Sequence, residues 1–371
     1  MRKSWPVVMS VAVSGTLISA ALAVDEAKKV VDRLLAPPTI KTESSFTAKV
    51  LVPPGQLYDP LFMVPRGAGV WLNDDGGEEQ DKGSRLLSID GRGKVSVLAG
   101  IGKLVPVTGL DVAPEGFGEY GGQIFTLAQA KVKMDGALAN HVVQRVDPKR
   151  EHAASVFCTL PAAGDVNKGI AGAGIEARFG PEGSPFAGKF YSVTAYNNTI
   201  YRTTADGQCT PFVTFDNERF GAPLGLTFAP DGQTMLVTVT REGLFTPAKG
   251  SAIVRVSPEG KVEDKPIVEG KTALGGLGFA PDGFGAYSGQ LFVTELGSFQ
   301  IPVPMTQALE ADGKVYRVTP EGEMKLVASG FVNPIGLRFV GHELWVTDIN
   351  GDFIGGGREL PDGFVVKITA Q

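Results

Sequence analysis

Asp348, Asn350 and Asp352 occupy alternate positions of one short segment, and Glu359 follows at the twelfth place. Oxygen-bearing side chains at places 1, 3, 5 and 12 are the spacing of a helix-flanked calcium loop, in which carboxylate and amide oxygens surround a hard cation. Phe353 stands at the sixth place, where such a loop needs glycine for its sharp turn, and apolar strand-like runs flank the segment. The expectation is a looser calcium-binding loop, with a glycine-rich surface loop, tipped by Gly355-Gly356-Gly357, as the plain alternative.

Other reactive patterns are scarce. His141, His152 and His342 form no H-E-x-x-H pair. There is no G-x-S-x-G elbow and no C-x-x-C. Gly172-Ala173-Gly174-Ile175-Glu176-Ala177 has the letters of a dinucleotide fingerprint, but it opens a strand with no helix after it and is set aside.

The chain that carries these residues has 371 positions, with 35 basic and 40 acidic side chains and a formal charge of −5. An acidic balance argues against nucleic acid as a partner, because phosphates need a basic face. With 43% hydrophobic and 20% charged residues, the chain is too apolar for disorder. Arg2 and Lys3 precede an apolar run from Val7 to Leu22, and Ala21-Leu22-Ala23 supplies the small residues of a cleavage site. Residues 1–23 therefore read as a secretory signal peptide, whose removal leaves a periplasmic or secreted protein with no membrane span. Only Cys158 and Cys209 meet that oxidising compartment. They read as closing one outer strand and opening another, so the expectation is that they do not pair.

Residues 24–45 read as a helix and linker. Ala27, Val30, Val31, Leu34 and Leu35 form one apolar stripe, and Pro37-Pro38 ends it. Beyond them the chain consists of short apolar runs punctuated by Gly, Pro, Asn and Asp, which are strand and turn signals. Leu291-Phe292-Val293 and Leu344-Trp345-Val346 are apolar on consecutive positions, as strands buried on both faces require.

These runs repeat. Gly225-Leu226-Thr227-Phe228-Ala229-Pro230-Asp231-Gly232 returns as Gly276-Leu277-Gly278-Phe279-Ala280-Pro281-Asp282-Gly283, and Gly109 to Gly116 is a third copy. Looser copies start at Gly174 and Gly336, and Leu61 to Gly67 is a degenerate first one. Arg145-Val146-Asp147-Pro148, Arg255-Val256-Ser257-Pro258 and Arg317-Val318-Thr319-Pro320 mark a second recurring turn. Roughly six units of about fifty residues, with four strands each, predict an all-β, six-bladed β-propeller over residues 46–371. The last unit lacks its outermost strand, and Phe46–Val52 is the spare strand expected to complete it. Gly109, Gly174, Gly225, Gly276 and Gly336 are expected to open inner strands where the axis is crowded.

The Gly-Leu-x-Phe-Ala-Pro-Asp-Gly units, the leader and the unit count resemble the exported six-bladed propellers of the SMP-30/gluconolactonase/LRE-like superfamily, near the NHL-type propellers. The resemblance implies a lactone hydrolase with one divalent cation at the channel mouth, held by carboxylate and amide side chains just ahead of the inner strands. Asp59 and Asn333 stand at such positions, while Leu224 occupies the corresponding place of the fourth unit.

In a four-stranded blade, inner strands begin on the face where second strands end. That face should gather Asp59, Asn73, Asp74, Asp75, Gln129, Asn197, Asn198, Arg241, Glu242, Glu295, Asn333 and Asp348 around a small-molecule site. Two functions follow. In the first, Asp59, Asn333 and Asp348, with Asn350 and Asp352, hold a divalent cation, with Ca²⁺ the expected ion. Glu295 or Asp348 then takes a proton from water to hydrolyse a lactone or small ester. In the second, the same face binds a ligand or a protein without chemistry.

Overall fold

The computed structural model describes residues 28–29, 31–75, 85–100, 108–129, 141–148, 154–161, 174–195, 197–242, 249–270, 272–297, 310–350 and 360–371. The leader at 1–23, Asp352, Glu359 and His152 lie outside these residues.

Residues 28–29 and 31–34 are helical, and two strands, β1 (Lys41–Thr42) and β2 (Phe46–Leu57), follow the Pro37-Pro38 stop. Six sheets come next, each built from consecutive strands in spatial order. Blade I is β3 (Asp59–Arg66), β4 (Gly69–Asp75), β5 (Arg85–Ile89) and β6 (Val95–Gly100). Blade II is β7 (Leu110–Val112), β8 (Ile124–Gln129), β9 (His141–Val146) and β10 (Ala154–Thr159). Blade III is β11 (Gly174–Phe179), β12 (Lys189–Thr194), β13 (Thr199–Thr204) and β14 (Cys209–Thr214). Blade IV is β15 (Ala222–Phe228), β16 (Met235–Thr240), β17 (Ser251–Val256) and β18 (Val268–Gly270). Blade V is β19 (Leu274–Phe279), β20 (Leu291–Glu295), β21 (Gly313–Val318) and β22 (Met324–Phe331). Blade VI takes β23 (Pro334–Val340), β24 (Glu343–Asp348) and β25 (Gly363–Ala370) from the end of the chain.

The fourth strand of blade VI is β2, antiparallel to β25 with Val50 opposite Val366 and Phe46 opposite Ala370. β2 and β25 thus lie side by side in one sheet, and loss of β2 would leave β25 as an open edge. The linker does more than lead in: Lys41 pairs with Ser329, so β1 adds a fifth strand to blade V. Two residues carry no periodic signal, which hid this strand from the sequence.

The repeats have physical causes. In Ala-Pro-Asp-Gly the aspartate caps its own turn, as where Asp231 Oδ1 accepts from Gln233 N at 2.9 Å. Gly232 follows at φ 67°, in the left-handed region that a side chain resists. The Gly-Phe-Gly-x-Tyr signature of blades II and V wedges Phe117 and Phe284 between blades, with each ring almost fully buried. Its tyrosine lies beneath the arginine of the second turn motif, Arg145 over Tyr120 at 4.8 Å and Arg317 over Tyr287 at 5.1 Å. A glutamine completes each set: Arg145 donates to Gln123 and Arg317 to Gln290, both at 3.1 Å. One sequence phrase therefore encodes one three-residue clasp, used twice.

Burial follows the sheet stacking. Every residue of Met235–Thr240 and of Leu291–Glu295 is buried, as expected of second strands covered on both faces by neighbouring blades.

Cys158 and Cys209 do pair, contrary to expectation, with their Cα atoms 6.2 Å apart. They sit where the sequence placed them, near the end of β10 and at the start of β14. What the sequence argument lacked was blade twist, which swings outer strands across one another so that the end of one meets the beginning of the next. The bridge fastens blades II and III at the rim.

Candidate functional site

Equivalent positions around the axis are fixed by pairing. Val64, Val112, Phe179, Phe228, Phe279 and Phe339 each face the start of their second strand. Three residues back lie Leu61, Gly109, Glu176, Gly225, Gly276 and Gly336. The glycines are demanded by close approach: a Cβ on Gly336 would come within 2.3 Å of the Leu61 carbonyl, and one on Gly225 within 2.4 Å of that of Gly275. In blade III this position is Glu176, while Gly174 opens its strand as expected; Gly225, Gly276 and Gly336, expected to open theirs, lie inside strands that begin at Ala222, Leu274 and Pro334.

Glu176 reaches across the ring. Its carboxylate takes Arg338 Nη2 on Oε1 at 2.5 Å and Arg338 Nη1 on Oε2 at 3.3 Å, joining blades III and VI. One residue before each anchor, Asp111, Arg178, Thr227 and Arg338 form a polar belt with Met63 and Gly278. Arg178 donates to Thr227 Oγ1 at 2.9 Å and to the Leu277 carbonyl at 2.8 Å. Asp111 accepts from the Phe179 and Val112 amides, both at 2.8 Å. Burial, together with the nearby Arg338, pulls the Arg178 guanidinium down to about 9, and burial pushes the Asp111 carboxyl up. This belt ties five blades together and floors the mouth above it.

At the mouth, residues at the ends of second strands do two jobs. Thr347 Oγ1 accepts from Gly336 N at 2.9 Å and donates to Leu61 O at 2.6 Å, stitching blade VI to blade I. Thr238 does the same between Gly225 N and Gly275 O, at 2.7 and 2.9 Å. Asn73 ties blade I to blade II by donating to Thr108 O and Thr126 Oγ1 at 2.8 and 3.0 Å. The two threonines were missed in the sequence, although Val237-Thr238 and Val346-Thr347 recur at matching places and signal them.

In blades I, V and VI a carboxylate then clasps the segment that enters the inner strand. Asp348 Oδ1 accepts from Asn333 N at 2.9 Å and Asn350 N at 2.7 Å, and its Oδ2 accepts from Val332 N at 2.8 Å. Burial pushes its pKa up to about 6 against those three amides. Glu295 occupies the equivalent place one blade back, accepting from Thr272 N at 3.4 Å with Lys314 Nζ 3.9 Å away. It also raises the Tyr316 phenol, which burial and this carboxylate together push to about 12. In blade I, Asp74 accepts from Tyr58 N at 3.0 Å and contacts Arg85. Burial lifts its pKa to about 6, with Arg85 pulling the other way.

Asn333, Asp348 and Asn350 are joined by hydrogen bonds. Asn333 Nδ2 donates to Asn350 O at 2.7 Å, and Asn350 Nδ2 donates to both Leu34 O and Asp362 O at 3.0 Å. Asn350 adopts a left-handed φ of 53°, a conformation asparagine tolerates. Asn333 Oδ1 is buried and has no hydrogen-bond partner among the described residues. Gly336 abuts Leu61, so two residues back Pro334 and Asp59 share one level, each facing the last residue of its own second strand. Asp59 is therefore the neighbouring blade's carboxylate at the height of Asn333. By contrast, Asn197 is spent within its own hairpin, where Nδ2 donates to Tyr201 at 2.7 Å, and Arg241 pairs with Glu269 at 3.1 Å.

Among the described residues no three His, Cys, Asp or Glu side chains are grouped to hold a metal. A cation here would draw on amide as well as carboxylate oxygen. Asn333 Oδ1 and Asp59 fit that demand, as hard donors of which one is a buried amide oxygen with no partner of its own. Beside Asn350 opens a pocket of about 280 Å³, walled by Arg33, Leu34, Pro37 and Pro38 on one side and Val332 and Phe364 on the other.

These features define a six-bladed β-propeller with charged side chains at its axis and a polar mouth. No family profile matches the chain, and no curated protein matches its sequence. Solved propellers do match its shape. The PQQ-bound aldose sugar dehydrogenase of Streptomyces coelicolor aligns with a TM-score of 0.58 at 13% identity, over 89% of this chain and 100% of that one. A putative gluconolactonase aligns at 0.51 and 13%, over 90% and 98%. The calcium-binding protein regucalcin of Agrobacterium tumefaciens aligns at 0.50 and 14%, over 88% and 96%. At such identities the likeness is one of fold, and the chemistry must be argued from the site.

Proposed function

We propose that the protein is an exported, divalent-cation-dependent hydrolase of lactones or small esters, acting at the mouth beside Asn333. The observation that carries this reading is the buried, unpartnered Asn333 Oδ1. Leaving a buried acceptor unsatisfied costs about 1–3 kcal/mol, and a bound cation removes that cost. Asn333 and Asp59 would hold the ion, which supplies polarisation of a carbonyl oxygen when bound. Asp348 fixes Asn333 through its backbone amide and, with a pKa raised to about 6, can take a proton from water near neutrality. Glu295 is the second candidate base, with Lys314 beside it. Export is supported by the leader-like residues 1–23 and by the Cys158–Cys209 bridge, since disulfides persist in oxidising compartments.

A second reading is a non-catalytic propeller that binds a ligand or protein on this face. It is favoured by the engagement of both Asp348 oxygens with backbone amides. A lactone and ester panel with added Ca²⁺, repeated with chelator, separates the two. The hydrolase reading expects turnover that chelation abolishes and Asp59→Asn and Asn333→Ala each lower at least a hundredfold. Absence of turnover on every substrate with calcium present leaves the binding reading.

A further inference from the structure

The pocket beside Asn350 lies off the axis, between the N-terminal segment and the seam of blades V and VI. Its walls are mostly hydrocarbon: Pro37 and Pro38 face Val332 and the buried ring of Phe364, while Arg33 is exposed and adds the polar edge. At one end stands Asn350, whose carbonyl accepts from Asn333 and whose amide N–H donates to Asp348. Asn350 is thus a wall that the pocket shares with the candidate site. The segment that walls it is held in place: Asn350 Nδ2 caps the Leu34 carbonyl, and β1 is hydrogen-bonded into blade V.

We propose that this pocket receives the alkyl chain of the substrate, so that the preferred lactones or esters carry a saturated chain of about eight carbons. The assignment rests on the hydrolase reading for the word substrate, but the pocket's affinity for hydrocarbon stands apart from it. A volume of about 280 Å³ equals roughly nine water volumes of ~30 Å³ each. An apolar chain displaces that water favourably, and each methylene buried should strengthen binding roughly fourfold. The N-terminal segment then serves as one wall of the binding site as well as part of the closure.

Octanamide, a neutral amide with the required chain, tests the pocket on the intact protein by amide-resonance titration against acetamide. The expected result is shifts at Val332, Asn350 and Phe364, affinity at least tenfold above that of acetamide, and at least tenfold loss in Ala36→Trp and Ala311→Trp. Both alanines are exposed, so these variants fill the opening without disturbing the core. No shift at those residues, or affinity unchanged in both variants, overturns the proposal. If octanamide binds as expected while no lactone or ester is turned over, the pocket stands and the hydrolase reading fails. With turnover, kcat/KM should rise with chain length to about eight carbons. A flat series refutes the assignment of the pocket to substrate.

Discussion

Arg338 and Glu176 meet across the propeller axis, Nη2 to Oε1 at 2.5 Å, although 162 positions separate them and they belong to blades on opposite sides of the ring. Both are buried, so each is the other's compensation for lost water. Glu176→Ala should destabilise the fold by about 3–5 kcal/mol, because it leaves a guanidinium buried without its partner. The double variant Glu176→Leu with Arg338→Met should recover most of that loss. Denaturant titration of the wild type and these two variants measures both effects, and equal losses in the single and double variants would show that the pair is not coupled.

Thr347 and Thr238 should prove costly to change despite their small size. Thr347→Val keeps the shape but strands the Gly336 amide and the Leu61 carbonyl, both buried between blades VI and I. Each stranded group costs about 1–3 kcal/mol, so a loss of roughly 2–6 kcal/mol is expected in the same titration. A Ser at this position, which restores the hydroxyl, should recover more than half of it.

Stability should fall as pH rises from about 4 to about 6. Asp74 and Asp348 have folded-state pKa values lifted to about 6, above the ordinary carboxylate value of 3.8. The native state therefore binds more protons than the unfolded chain within this window, and the slope of unfolding free energy with pH is negative there. For each carboxyl, the difference between its folded and unfolded pKa corresponds to about 3 kcal/mol. Melting temperatures recorded with chelator present should decline across the window, and Asp74→Asn should flatten part of the decline. A rising curve contradicts the claim that burial dominates at these two carboxyls.

The rim bridge should matter as well. Cys158→Ser should lower stability by roughly 2–4 kcal/mol, since the bridge closes a loop of 51 residues. Intact mass under non-reducing conditions, compared with the reduced protein, reports the pairing directly.

The blades were legible because their turns are chemically specified. A proline, an aspartate and a glycine in the left-handed region follow the inner strands of blades IV and V, as Pro230-Asp231-Gly232 and Pro281-Asp282-Gly283, and Gly225, Gly276 and Gly336 stand where adjacent backbones nearly touch. Glu176 was not singled out in the sequence, because a bulge separates the Gly174 and Ala177 pairings and glycine spacing alone cannot register it. The cysteine pairing depends on twist accumulated across four strands, which no local pattern records. The carboxylates at the mouth were found but their partners were not: a strand-end Asp looks alike in sequence whether it holds an ion or, as Asp348 does, three backbone amides.

The most direct test of a cation at the mouth is a crystal structure of the wild-type protein grown with saturating Ca²⁺. Cation density should lie about 2.3–2.6 Å from Asn333 Oδ1, the distance range of calcium–oxygen bonds, with Asp59 among its ligands. A hydrogen-bond donor seated on Asn333 Oδ1, with no cation at the mouth, would contradict the claim that this amide oxygen waits for a metal.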